Sequence, residues 1–180
     1  TRGGTAAGEW TYTQTVDTAD THTNDGTYTY TLEITDLAER SFEKSITVTV
    51  DTTAPTLEVT SPKIGESAEA TTYTIKGTVD DESDVASLRY RVYSGSTASG
   101  DFTTVENPSA SWKIENVSLG DSQGDLTLEI YAKDILGNET TSFLATDNST
   151  GDSTDTNTKL SFYYDTANPV LEETGVGTSG

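Results

Sequence analysis

The sequence predicts an all-β chain built from antiparallel β-sandwiches in tandem. Apolar residues alternate with polar ones along most of the chain, as they do in strands that bury one face. Thr is unusually abundant, and β-branched residues suit the pleated surface of a strand. No stretch combines sustained helical periodicity with capping residues, so no helix is expected.

The first part of the chain contains predicted strands on both sides of a polar turn at residues 17–26. An Asp25-Gly26 pair, a strong turn signal, closes that turn. These strands correspond to the last strands of a sandwich only, so residues 1–52 are expected to form the C-terminal half of an incomplete domain. Their predicted inward residues are Trp10, Tyr12 and Val16, then Tyr28, Tyr30, Leu32 and Ile34, and then Ile46, Val48 and Val50.

A short segment with an acidic residue, small residues and Pro occurs twice. It is Asp51-Thr52-Thr53-Ala54-Pro55 in the first copy and Asp165-Thr166-Ala167-Asn168-Pro169 in the second. Pro fixes φ and has no N–H, so it separates one hydrogen-bonded ladder from the next. We interpret each copy as a short, stiff joint between domains.

Residues 53–166 contain about seven predicted strands, enough for one complete sandwich. Ser61-Pro62 and Gly65 are expected to end the first strand, and residues 145–158 are interpreted as a polar loop insertion. Residues 167–180 are predicted to begin the next domain. The predicted inward residues are Leu57 and Val59; Tyr73, Ile75, Gly77 and Val79; Leu88, Tyr90 and Val92; Trp112, Ile114 and Val117; Leu126, Leu128, Ile130 and Ala132; and Leu160, Phe162 and Tyr164. Phe102 and Val105 indicate a short edge strand.

An internal repeat relates the two parts. The segment Gly26–Asp36 aligns without gaps with Gly124–Asp134, and Trp10 aligns with Trp112. Ile46, Val48 and Val50 align with Leu160, Phe162 and Tyr164. The offset of about one hundred residues is the length of one sandwich domain. The chain is therefore expected to be a piece of a longer array, which the absence of Met at position 1 also favours.

Several of these segments together resemble the tandem bacterial immunoglobulin-like (Big-type) repeats of large surface or secreted proteins. The resemblance rests on the segment Gly77–Val92, the Trp112 strand, the Asp134-x-x-Gly-Asn138 loop and the Asp51–Pro55 joint. It implies tandem immunoglobulin-like sandwiches. The first copy departs from the pattern, since Glu39-Arg40 stands where the loop of the second copy has Gly-Asn.

Calcium at the joint is the main chemical hypothesis. Strand direction alternates in an immunoglobulin-like sandwich, so the first joint and two acidic loops of the second domain would share one pole. Calcium requires six to eight oxygen ligands, which converging loops can supply. The alternative is that these residues only form turns and solvate the surface. The candidate ligands are Asp51, Asp80, Asp81, Glu82, Asp84, Asp134, Asn138 and Glu139.

The net charge of −20 restricts the partners that can be expected. With 10 Lys and Arg residues against 30 Asp and Glu residues, the chain has no basic stripe to neutralise phosphates, which argues against nucleic acid. No apolar run is long enough to span a bilayer, so direct membrane insertion of this segment is not expected. The absence of Cys excludes disulfides and thiolate chemistry.

An enzymatic role is not expected. His22 is the only His, no nucleophile-elbow pattern is present, and no carboxylate is flanked by apolar residues that would raise its pKa. Trp10 and Trp112 could stack on sugars, but their equivalent strand positions favour a buried role.

The predicted function is a structural repeat, a stalk or spacer, in a bacterial protein that is extracellular or on the cell surface. Its partners would be neighbouring immunoglobulin-like repeats. The alternative is an adhesin or carbohydrate-binding module that contacts a surface receptor or glycan through its loops. An exposed row of aromatic side chains would favour binding, and a uniform Thr/Glu exterior would favour the stalk.

Overall fold

The computed structural model describes residues 22–95, 97–121 and 123–170, apart from the side chains of residues 154–156. All the regular structure in these residues is β, which confirms the predicted all-β class. The chain divides into two compact units between Thr53 and Ala54. The predicted strand at Trp10, Tyr12 and Val16 lies outside the described residues, as do residues 171–180 of the predicted next domain.

The described residues form twelve strands. Their bounds are β1 Gly26–Thr35, β2 Ser41–Val50, β3 Thr56–Ile64, β4 Ser67–Ala68, β5 Thr72–Asp80, β6 Val85–Ser94, β7 Thr103–Glu106, β8 Ser111–Ser118, β9 Gly124–Asp134, β10 Phe143–Asp147, β11 Ser153–Asn157 and β12 Leu160–Tyr164.

The first unit contains the antiparallel pair β1–β2, with Tyr28 opposite Val48 and Ile34 opposite Phe42. The strands are where the alternation predicts them. The predicted burial of this face is wrong for Leu32, Ile34, Ile46 and Val48, which are 54%, 53%, 57% and 44% exposed. Two strands alone have no second layer to cover an apolar face.

The second unit contains two five-stranded sheets. One has the order β11-β10-β3-β5-β8, and the other has the order β4-β12-β9-β6-β7. Most neighbouring strands are antiparallel, as predicted. The pairs β3–β10 and β4–β12 are parallel, so both sheets are mixed and the purely antiparallel prediction is incomplete.

The two sheets share one hydrophobic core, which makes the second unit β-sandwich-like. The alternation predicts most of its members, because inward side chains recur at every second residue of each strand. The buried core residues are Leu57, Val59, Ala68, Ile75, Val79, Leu88, Trp112, Ile114, Val117, Leu119, Leu126, Leu128, Ile130, Ala132, Phe143, Ala145, Leu160, Phe162 and Tyr164.

Strand β3 continues through Pro62, so the prediction that Ser61-Pro62 ends it is wrong. The ladder to β5 shifts register after Val59 and pairs no residue beyond Ser61. The ladder to β10 skips from Val59 to Ile64. Pro62 therefore occupies a place where neither neighbouring strand needs its missing N–H.

The predicted loop insertion at residues 145–158 is mostly a β-hairpin, formed by β10 and β11. Phe143 and Ala145 of β10 are buried in the core. Asp147 closes the turn, since its Oδ1 accepts hydrogen bonds from the backbone and hydroxyl of Ser149. The polar composition of this segment reflects an edge strand and a turn rather than an unstructured loop.

Trp112 belongs to the core, as its position in the repeat predicts. It is 4% exposed and lies opposite Gly77 across the β5–β8 ladder. A Cβ atom at residue 77 would overlap both the Trp112 ring and the carbonyl oxygen of Glu58. Gly77 is therefore needed to leave room for the Trp112 indole beside β5.

Replacing Gly77 with Ala is expected to destabilise the second unit by about 1–3 kcal/mol, the usual cost of overpacking a dense core. Urea denaturation followed by Trp fluorescence measures the change. Thr78→Ala is the matched control, because Thr78 is the next residue of β5 and is exposed. Equal stabilities for G77A and T78A would contradict the close packing of Gly77 against Trp112.

Candidate functional site

The strand pair β1–β2 of the first unit and the strand pair β9–β12 of the second have the same register. Gly26 lies opposite Val50, and Gly124 lies opposite Tyr164. The next inward pairs are Tyr28 with Val48 in one unit and Leu126 with Phe162 in the other. These are the positions that the sequence repeat aligns, so the repeat is one of strand pairing as well as of sequence.

Asp134 organises the loop that follows β9. Its side chain is almost fully buried, and its Oδ1 accepts hydrogen bonds from the backbone N–H groups of Leu136, Gly137 and Asn138 at 2.8, 2.5 and 2.8 Å. Its Oδ2 accepts a hydrogen bond from Nδ2 of Asn138 at 2.7 Å. A buried carboxylate is tolerated here because several donors surround it.

Asp36 organises the equivalent loop of the first unit in the same way. Its Oδ1 accepts hydrogen bonds from the N–H groups of Ala38 and Arg40, the counterparts of Leu136 and Asn138. Nε of Arg40 donates to Oδ2 of Asp36 at 2.7 Å, where the second copy uses the Asn138 amide. Glu39 has a positive φ of 62° at the place of Gly137. The sequence departure at Glu39-Arg40 therefore preserves two of the three backbone hydrogen bonds to the Asp side chain, whereas the N–H of Glu39 donates to the backbone carbonyl of Asp36 instead.

Both joints begin with the same local turn. Oδ1 of Asp51 accepts from the N–H of Thr53 at 2.9 Å, and Oδ1 of Asp165 accepts from the N–H of Ala167 at 2.8 Å. Each is an Asx turn, in which a side-chain oxygen substitutes for a backbone carbonyl. The Asp at the start of each joint is therefore a backbone-shaping residue.

The residue before the strand-opening Gly binds the Thr of the joint in each unit. In the first, the carboxylate of Asp25 accepts from the N–H and the hydroxyl of Thr52 at 3.1 and 2.8 Å. In the second, Nε2 of Gln123 donates to Oγ1 of Thr166 at 2.7 Å. The joint is thus bound back to its own unit in both copies.

Ionisation of Asp25 favours this contact. Burial alone would raise the pKa of Asp25, but the hydrogen bonds from Thr52 and Thr53 and the nearby His22 outweigh it and lower the pKa. Because the folded-state pKa is lowered, the contribution of Asp25 to stability is present above its usual pKa and is lost as the pH falls through the lowered value.

The acidic loop after β5 brings one of its carboxylates toward Asp134. Oxygens of Asp81 and Asp134 lie within 4.8 Å of each other. Oδ2 of Asp81 also accepts from the hydroxyl of Ser83 at 2.7 Å. Asp80, Glu82 and Asp84 are exposed at the surface of the same region. In the described part of the chain, none of these three belongs to a group of three potential metal ligands.

Glu139 and Asp51, the remaining predicted ligands, have other roles in their own units. Oε1 of Glu139 accepts from Nε of Arg89 at 2.6 Å, on the outer surface of the second sheet. Asp51 belongs to the first unit and forms the Asx turn of its joint. Of the predicted ligands in the second unit, the structure thus brings together Asp81, Asp134 and Asn138. The predicted participation of Asp51 stays a prediction.

A face with cationic and aromatic residues was not found by the sequence analysis. The outward side chains of β6 and β9 define it, and we call it the β6–β9 face. Its members are Ser87, Arg89, Arg91, Tyr93, Thr127, Glu129, Tyr131 and Lys133. These residues alternate along their strands with the core residues Leu88, Ile130 and Ala132, and this alternation could have indicated from sequence that they share the outward face.

Glu129 is the centre of a charged network on the β6–β9 face. It is 3% exposed and accepts from Nε of Arg91 at 2.7 Å and from the hydroxyl of Tyr93 at 2.9 Å. Nζ of Lys159 lies 3.1 Å from Oε1 of Glu129, the oxygen that also accepts from Tyr93. Burial alone would raise the pKa of Glu129, but these hydrogen bonds outweigh it and lower the pKa.

Comparisons with known proteins do not assign the chain to a family. No protein-family model matches it, and no curated protein sequence is significantly similar to it. None of the described residues belongs to a helix with the length and hydrophobicity needed to cross a bilayer.

Replacing Asp134 with Ala is expected to destabilise the second unit by roughly 2–4 kcal/mol, because three backbone N–H groups lose a charged acceptor. Asp134→Asn retains one acceptor oxygen and should cost less. The free energy of unfolding from urea titration measures both. Asp84→Ala is the control, since the Asp84 side chain is exposed. If D134A and D84A are equally stable, Asp134 does not anchor the loop.

Proposed function

We propose that the chain is a non-catalytic spacer, consisting of tandem immunoglobulin-like domains from the stalk of a bacterial cell-surface or secreted protein. One observation supports this above all. The strand pairs β1–β2 and β9–β12 share their register, their Asp-anchored loop and the contact to the joint. Such repetition is expected of modules that are duplicated in series for length.

The joint supports the same proposal. Each copy contains an Asx turn and a Thr that is hydrogen-bonded to its own unit, by Asp25 in one case and by Gln123 in the other. Pro then follows within a few residues. These features reduce the number of conformations open to a short connection, which is what a stiff spacer requires.

Chains that contain two, three and four copies of residues 22–170 in series are expected to lengthen by a constant increment per copy. Stiff joints would make the maximum dimension from small-angle X-ray scattering rise linearly with copy number. Freely jointed copies would instead give a dimension that grows with about the square root of the number.

The matched control replaces Asp25 and Gln123 with Ala and Pro55 and Pro169 with Gly in every copy. These changes leave the core residues intact, so the control should fold but lose part of the linear increment. A square-root dependence for the unaltered chain would rule out a stiff spacer.

We also propose that calcium stiffens the joint, with Asp81 and Asp134 as its carboxylate ligands in the second unit. The proximity of Asp81 to Asp134 supports this. Glu139 is less suited than the sequence suggests, because it is paired with Arg89. Oδ1 of Asp134 already accepts three hydrogen bonds, so Oδ2 is the oxygen that would face a cation.

Calcium at about 100 times its Kd should raise the melting temperature by roughly 5–10 °C, because a ligand of the folded state stabilises it by mass action. Calorimetry with and without a chelator measures the shift. Asp81→Asn should abolish it, whereas the exposed control Glu82→Gln should retain it. Identical melting curves with calcium and with chelator would exclude the site.

The second candidate function is that of an adhesin or carbohydrate-binding module for a surface receptor or glycan. The observation in its favour is the β6–β9 face, where Tyr131 and Phe102 pack around Arg89 instead of the Thr and Glu side chains of a plain exterior. In this alternative the contact would be made by a sheet face rather than by loops.

A further inference from the structure

Arg89 of the β6–β9 face lies against two aromatic rings. Its guanidinium carbon lies 4.7 Å from the centre of the Phe102 ring and 4.7 Å from that of the Tyr131 ring. The two rings meet edge to face, with their centres 5.6 Å apart. Nε is fixed by Glu139 at 2.6 Å. The guanidinium therefore has little freedom to rotate, which lowers the entropic cost of binding a ligand.

The two neighbouring arginines of β6 differ in how their donors are used. Each of the three guanidinium nitrogens of Arg91 has a partner, because Nε and Nη2 contact Glu129 and Nη1 donates to the carbonyl of Gly100. Arg89 uses only Nε, and its Nη1 and Nη2 have no acceptor among the described residues. Its side chain is 41% exposed, against 21% for Arg91. The terminal edge of Arg89 is therefore available to a ligand.

A second cation and a hydroxyl occupy positions next to Arg89 on the same face of the sheet. Lys133 is on the same face and diagonal to Arg89, since it is opposite Ser87 while Arg89 is opposite Tyr131. Such diagonal positions are about 7–8 Å apart, within reach of long side chains. Lys133 is exposed and forms no ion pair with the described residues. On the other side, Thr104 of β7 is opposite Arg89.

We propose that the β6–β9 face binds a carboxylate group, with the Nη1 and Nη2 groups of Arg89 as a two-pronged donor and Lys133 as a second cation. A planar guanidinium edge matches the two oxygens of a carboxylate. Glu139 and Glu106, which is opposite Ser87, flank the site on the same surface. Their negative charge opposes a doubly charged anion, so a carboxylate binds in preference to phosphate. This site does not depend on the spacer function.

Titration of the 180-residue chain by NMR tests this proposal, with the Nε–H signal of Arg89 as the reporter. Glucuronate and N-acetylglycine, which share only the carboxylate, are expected to shift this signal saturably with Kd values on the order of millimolar. Glucose and inorganic phosphate should not. A tenfold tighter Kd for glucuronate would identify an acidic sugar as the source, and equal values would identify the carboxylate alone. No saturable shift, or a phosphate affinity equal to that of glucuronate, would overturn the proposal.

Variants distinguish recognition by the planar guanidinium edge of Arg89 from simple attraction by its positive charge. Arg89→Lys keeps the charge but loses the planar edge, so the Kd should rise at least about fivefold. Lys113→Gln, which removes a cation from the other sheet, should leave the Kd unchanged. Glu139→Gln keeps a side-chain oxygen that can accept from Nε of Arg89 but removes a competing negative charge, so it should lower the Kd about twofold or more. This variant also tests the site if R89K fails to fold. Weaker binding by E139Q, or unchanged binding by a folded R89K, would refute the site.

Discussion

The apolar contact between the inner faces of the two five-stranded sheets is the interaction on which the second unit depends. Each strand has one apolar side, and the facing sheet buries that side away from water. Residue 77 of β5 is Gly because the Trp112 ring occupies space that a Cβ atom would need. The Asp134 loop, the contact between Gln123 and Thr166 and the β6–β9 face are all positioned by strands that this core fixes. The described residues of the first unit form one pair of strands, and accordingly its apolar side chains remain exposed.

Local alternation was sufficient to predict most strands. It succeeded for β1, β2, β5, β6, β8, β9 and β12 because the two faces of these strands differ strongly in polarity. It failed at β3, where Pro62 is tolerated because it pairs with no residue of β5 or β10. It also failed at β10 and β11, whose polar residues fit an edge position that becomes evident only from the pairing with β3. The parallel pairs join segments that are far apart in the chain, so a local sequence pattern does not predict them.

The candidate site residues could also be predicted only as far as local sequence reveals them. Acidic loops are visible in the sequence, but the difference between Asp134, which is buried under three backbone donors, and Asp84, which is exposed, depends on the closed loop. The pairing of Glu139 with Arg89 crosses fifty residues and could not be inferred. The sequence alone gives no indication that the arginines of β6 contact aromatic rings. Their contact with Phe102 arises because the β6–β7 connection returns across the sheet, which is a property of the path of the chain.

The β10–β11 hairpin has a consequence for how copies of such a unit coexist at high density. Without it, β3 would be an edge strand, and its unpaired N–H and C=O groups could pair with a neighbouring molecule. β10 satisfies that edge, and the sheet then ends in β11, whose sequence is Ser-Thr-Asp-Thr-Asn. A short, hydrophilic outermost strand is a poor template for intermolecular β-sheet. The hairpin thus protects closely spaced chains against aggregation.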